Sequence, residues 1–133
     1  PEGAPGADIT LLDPEHHNWL VHRDLALDES ELEVIDDRGR HRLDEIDLEV
    51  ECSAVEKYSS IGDDFESPRA EVVWDRSLRR GQWKIRTVTR TVLTSNPEEF
   101  VLHATLDAYE YSSAGEKRVY SNNWDERIPR ELV

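Results

Sequence analysis

The sequence predicts an all-β fold of about eight mostly antiparallel strands, as a β-sandwich or a strongly curved, partly closed meander sheet. Three observations lead there. Apolar and polar residues alternate with a period of two over long stretches. Turn-forming clusters separate those stretches at short intervals. No stretch carries a capped apolar stripe at helical spacing, and the best helical candidate is a single turn near Pro97–Glu99.

In chain order, short apolar runs predict strands over 9–12, 19–27 and 32–35. Asp36-Asp37-Arg38-Gly39 reads as a turn leading into a long strand that starts near His41. Within 45–55, Ile46, Leu48, Val50, Cys52 and Ala54 alternate with Asp47, Glu49, Glu51 and Ser53, a half-buried strand with an acidic outer face. A strand over 69–78 follows. Over 82–93, Trp83, Ile85, Thr87, Thr89, Thr91 and Leu93 oppose Lys84, Arg86, Val88, Arg90 and Val92. Ser95-Asn96-Pro97 then turns the chain into a strand where Phe100, Leu102, Ala104, Leu106 and Ala108 share a face. Ser112-Ser113-Ala114-Gly115 leads to the last strand, 117–124. The strands near 82–94 and 99–111 run to about a dozen residues, longer than typical, and length favours twist and curl.

The chain has 133 residues, enough for one domain with one core, and a net charge of −14. Such a charge argues against nucleic acid or an anionic membrane as partner, and no apolar run is long enough to span a bilayer. Residues 1–66 hold 20 acids and 5 bases; the rest holds 10 acids and 11 bases, so either the two halves complement each other across a sheet or the acidic half is a strongly solvated face. PEGAPGAD at 1–8 has the composition of a linker, and the sequence contains no methionine. The expectation is a linker remnant at 1–8 and one C-terminal β domain at 9–133, a fragment of a longer protein. With no secretory leader and only Cys52, which allows no intrachain disulfide, a cytoplasmic location is expected.

Motifs of catalysis are missing. None of the ten serines sits in G-x-S-x-G, and no P-loop, G-x-G-x-x-G or H-E-x-x-H occurs. His16 and His17 follow Asp13 and Glu15, but neighbouring residues of an extended chain point to opposite sides and do not share an ion easily. The Asp36/Asp37, Asp63/Asp64 and Glu98/Glu99 pairs lie beside turn residues, where Asp serves the backbone. No catalytic residue, cofactor or metal ligand is therefore assigned. Lys84, Arg86 and Arg90, preceded by Arg76, Arg79 and Arg80, form a basic stripe expected to pair across strands with the acidic half. Trp19, Trp74, Trp83 and Trp124 are expected to anchor a core or a docking face; Trp74, Trp83, Tyr120 and Trp124 are the candidates for docking or packing.

The segments SPRAEVVW (67–74), RGQWKIRTVTRTVLTSNPEEF (80–100), LDAYE (106–110) and WDERIPRELV (124–133), with WLVHRDLAL (19–27) upstream, carry a family pattern. Together they resemble the tail of cocaine esterase/X-Pro dipeptidyl-peptidase family serine hydrolases. The resemblance implies ester or amide hydrolysis by a Ser-His-Asp triad in an α/β-hydrolase domain, followed by a jelly-roll-like β domain. Neither the nucleophile motif nor the hydrolase sheet lies within this sequence, so no triad residue carries over. It implies a non-catalytic C-terminal accessory domain that packs on the upstream catalytic domain of the same polypeptide, covers its substrate entrance or supports a homo-oligomer. Two alternatives are a stand-alone β-barrel-like binder of a small apolar ligand and an acidic protein-interaction module.

Overall fold

The computed structural model describes residues 6–131; Pro1–Pro5, where most of the expected linker falls, lie outside the described residues. Eight strands follow one another: β1 (Ile9–Asp13), β2 (His16–Asp24), β3 (Glu29–Leu43), β4 (Leu48–Ile61), β5 (Arg69–Arg80), β6 (Trp83–Ser95), β7 (Glu99–Ser112) and β8 (Gly115–Pro129). All join one open antiparallel sheet, ordered β1-β3-β4-β5-β6-β7-β8, with β2 also pairing β3. From β3 onward the chain is a plain meander, each strand hydrogen-bonded to the next. The all-β antiparallel prediction holds, in a single sheet.

Turn chemistry explains the meander. Arg80 pairs with Trp83 across Gly81-Gln82, and Gly81 supplies the positive φ of +56°. Between β6 and β7, Asn96 Oδ1 accepts the backbone N–H groups of Glu98 and Glu99, both at 2.9 Å, closing an Asx turn. That is where a helical turn was the best candidate; the Asn side chain, not a helix, satisfies those donors. The β3–β4 turn is a 3-10 segment, Asp44–Ile46, closed by Asp47 at φ 49°. Thr10 Oγ1 donates to Asp44 at 2.7 Å and Arg42 Nε at 2.8 Å, tying this turn to β1.

Several predicted boundaries move: the 19–27 strand is His16–Asp24 with 25–28 in the turn, the 32–35 strand is part of Glu29–Leu43, and the 117–124 strand extends over Gly115–Pro129. Asp36–Gly39 is not a turn: β3 runs through it, and the register with β4 slips between Asp37 and Arg40. Gly39, at φ +63°, supplies the bulge, and Asp37 Oδ1 accepts its N–H at 2.9 Å. At this bulge the outer partner of β3 changes, since β2 pairs residues 29–37 and β1 pairs 40–43. The 45–55 strand begins later, at Leu48, because Ile46 belongs to the 3-10 turn.

The sheet buries little. Ala54, 1% exposed, is the one fully buried hydrophobic residue among those described, and no large side chain is fully buried.

Candidate functional site

Directly paired residues of an antiparallel ladder lie on the same side of the sheet, so the register sorts the side chains. One row reads Ala54, Trp74, Thr89, Leu106 across β4 to β7. The rows beside it contain Val72, Ala104 and Trp124, and Cys52, Ala108 and Tyr120. Further along the same side lie Val50, Leu78 and Ile85. Trp19, opposite Val34, and Trp83, two residues before Ile85, complete it. All four tryptophans, with Tyr58, Phe100 and Tyr120, therefore occupy one side of the sheet.

This apolar side is open. Trp19 is 74% exposed, Tyr120 50%, Trp83 44% and Trp124 39%. Trp74 is half-buried, with the Arg76 guanidinium 4.6 Å from its ring centre. A hollow of about 490 Å³ on this side is lined by Val50, Cys52, Leu78 and Ile85, together with His41 and Arg76. Cys52, expected as a small core residue, is a half-buried free thiol in that hollow. The candidates Trp74, Trp83, Tyr120 and Trp124 thus share a surface, and Trp19 joins them.

The opposite side is a lattice of charge. Arg86 grips Asp75 with Nε at 2.8 and 3.0 Å and with Nη2, and also reaches Glu116 at 3.8 Å. That grip holds the Arg86 guanidinium above its ordinary pKa. Arg90 Nε donates to Glu71 at 2.6 Å and Arg69 pairs with the same carboxylate. Arg90 first, then Arg69, holds Glu71 below the usual carboxylate range against the opposing effect of burial. Lys84 lies 4.6 Å from the centre of the Tyr111 ring. The basic stripe does pair across strands, but Asp75, Glu71 and Glu116 all come from the balanced half, not the acidic one. The acidic half pairs with its own five bases: Arg23 with Asp28, Arg38 with Asp36, Arg40 with Asp13 and Glu49, Arg42 with Asp44, and Lys57, 3.7 Å from both Glu31 and Glu33.

His16 and His17 face opposite sides of β2, and His17 contacts Glu15 at 3.3 Å and Asp36 at 3.0 Å. A cluster the sequence reading missed is His22, Glu31 and Glu33, whose ligand atoms lie within 4.8 Å of one another. The i, i+2 spacing of Glu31 and Glu33 in β3 was its only signal. Lys57 already lies against both carboxylates there. The buried Ser77 donates to Glu51 at 3.0 Å and to no imidazole. No protein-family model, curated protein or solved structure matches this chain. Among the described residues no helix is long and apolar enough to cross a membrane.

Proposed function

We propose that this chain is a non-catalytic accessory β domain whose apolar side packs on the catalytic α/β-hydrolase portion of its own polypeptide. The observation that carries the reading is area. The chain exposes 9716 Å². A compact monomer of 15.4 kDa exposes about 7,200 Å² by the usual scaling. The difference, on the order of 2,500 Å², is what one partner contributes to a large permanent interface of roughly 5,000 Å² in total. The four tryptophans on one side support that side as the covered one. The catalytic identity of the covering portion rests on the family resemblance of 19–133, and so does the hydrolysis of an ester, amide or X-Pro peptide; the single cysteine supports a cytoplasmic location.

The test uses the complete polypeptide that its gene encodes. A fluorophosphonate probe is expected to label one serine outside residues 1–133, with hydrolysis of an X-Pro anilide or a p-nitrophenyl ester lost on labelling. Amide exchange of β5 and β6 is expected to slow in the complete polypeptide relative to this chain alone. A polypeptide with no probe-reactive serine refutes the catalytic assignment. Equal exchange in the two forms refutes the docking.

The small-ligand reading has one observation in its favour, the hollow at Val50, Cys52, Leu78 and Ile85. Titration with an environment-sensitive apolar dye separates the two readings. A single saturable site lost in Ile85→Asp supports the ligand; weak, unsaturable binding over the whole face supports docking.

A further inference from the structure

Among the described residues no strand lies beside the far side of β8, and fourteen of its fifteen residues are exposed. Exposed edges of this length invite pairing, and proteins usually blunt them with charged side chains, proline, β-bulges or very short strands. Strand β8 has six charges and one bulge, at Val119, but it is not short and its charges are of both signs. It is fifteen residues long, and its only proline is its last residue. Its charges are Glu116, Lys117 and Arg118 near one end and Asp125, Glu126 and Arg127 near the other, so the strand is neutral in a chain of −14.

The order of those signs matters. From N- to C-terminus they run minus, plus, plus, minus, minus, plus. Read backwards, every sign is inverted, and an antiparallel copy is the same strand read backwards. We propose that β8 pairs antiparallel with β8 of a second copy of this chain, about a two-fold axis through Asn122, joining the two sheets into one.

The bulge fixes the details. The register of β8 against β7 slips between Ala108, opposite Tyr120, and Tyr109, opposite Arg118, so Val119 is the extra residue. Starting from Asn122 on the axis, Ser121 meets the partner's Asn123 and Tyr120 meets the partner's Trp124. With Val119 passed over, Arg118 meets the partner's Asp125, Lys117 the partner's Glu126, and Glu116 the partner's Arg127. Two-fold symmetry doubles these three ion pairs to six. Each pair also joins residues from the same side of the sheet, so the apolar side of one copy continues into that of the other.

No other register does this. An odd shift sets apolar sides against charged ones. Moving the axis to Trp124 puts Asp125, Glu126 and Arg127 opposite Asn or Ser; moving it to Tyr120 does the same to Glu116, Lys117 and Arg118. Four of the six charges also have a partner within their own chain: Glu116 reaches Arg86 at 3.8 Å, Arg118 reaches Asp107 at 3.3 Å, Asp125 accepts from His103 at 2.5 Å, and Arg127 pairs with Glu99. In the dimer those four charges are shared between the chain and the second copy, and among the described residues Lys117 and Glu126 meet only the copy. The proposal uses the edge of the sheet and does not require a cover on the apolar side, which it meets at Lys117, Tyr120, Asn122, Trp124 and Glu126.

Half-reversed chains test it. Lys117→Glu with Arg118→Glu makes four like-charge contacts against an identical copy, and so does Asp125→Lys with Glu126→Lys. Sedimentation velocity up to about 200 μM is expected to show a dimer for the native chain and more than about 100-fold weaker association for each variant alone. An equimolar mixture of the two variants is expected to restore a dimer, because every contact between unlike variants is again attractive. Circular dichroism checks that both variants remain β-folded. In a Cys52→Ser background, Asn122→Cys is expected to form a disulfide-linked dimer and Asn123→Cys none, since Asn123 does not meet its own counterpart. A monomeric native chain overturns the proposal. So does association unchanged in the half-reversed chains, or a mixture that stays monomeric.

Discussion

Gly39→Ala tests whether the bulge in β3 holds the outer edge of the sheet together, and Gly81→Ala supplies its control. Both glycines have nearly the same left-handed backbone, φ +63° and +56°. An alanine there costs roughly 1–2 kcal/mol in conformation. Reduced freedom of the unfolded chain returns about 0.4–1 kcal/mol of that at either position. The surroundings differ. A methyl at Gly81 meets nothing within 4 Å. At Gly39 it would lie 2.3 Å from the Asp13 carbonyl oxygen and 2.7 Å from that of Pro14. Those atoms are backbone, at the corner where β1 hands over to β2, so the corner itself must shift. Forced packing of this kind adds about 1–3 kcal/mol. The expectation is a loss of about 0.5–1 kcal/mol for Gly81→Ala and about 2–4 kcal/mol for Gly39→Ala. In urea, with slopes of about 1–3 kcal/mol/M, that difference separates the two midpoints by roughly 0.3–3 M. Amide exchange should quicken in Thr10, Leu11 and their partners Arg42 and His41, and stay unchanged in β7. Equal midpoints for the two variants would refute the reasoning, because they share φ and differ only in crowding.

Other side chains offer narrower tests. Glu71→Gln is expected to cost about 0.5–1 kcal/mol at neutral pH, discounted for the exposure of Arg69 and Arg90. Because the Glu71 carboxyl is held low, its contribution is complete above the ordinary carboxylate range and fades as pH falls through the lowered value. Urea titrations of native and Glu71→Gln chains should therefore converge below about pH 4; a gap that widens there contradicts the ion-pair account. Arg86→Lys keeps the charge and loses the fork on Asp75, with an expected cost of about 1 kcal/mol by thermal melt; a neutral result would show that charge alone suffices. Asn96→Ala frees the Glu98 and Glu99 donors and should cost about 1 kcal/mol, with Asn96→Asp restoring most of it.

The strands were legible because a period of two survives any error in where a strand ends. Turns were legible by composition, and composition failed where two structures share it. Asp36-Asp37-Arg38-Gly39 has the residues of a tight turn, yet β2 and β1 flank β3 on either side of it, so the chain stays extended and Gly39 makes a bulge. Ile46 kept the alternation of its neighbours and still fell in the 3-10 turn, since Asp44 is held by its neighbour Arg42 and by Thr10 from elsewhere in the chain. Within a strand, the sides could be read from the sequence. Between strands they depend on loop length, so the gathering of Trp19, Trp74, Trp83 and Trp124 on one side needed the register. The same register explains why Arg86 and Arg90 found Asp75 and Glu71: charges pair with the adjacent strand, whichever half of the sequence it comes from.

The two proposed contacts make separable demands on the molecule. A covering body lies over the tryptophan side, where Trp83 stands on β6, two strands from the free edge. A second copy lies along β8, in the plane of the sheet, and its six ion pairs involve no residue of β6. If both contacts exist, Trp83→Asp in the complete polypeptide should release the cover, seen as faster exchange in β5 and β6, and leave the dimer intact. Half-reversal of β8 should do the opposite. Combined, the two changes should add without interaction, as expected for sites that share no partner. Loss of the dimer in Trp83→Asp would mean that the copies associate through their apolar sides. One contact would then account for both the exposed area and the self-association, and the sign pattern of β8 would have to serve its own chain alone.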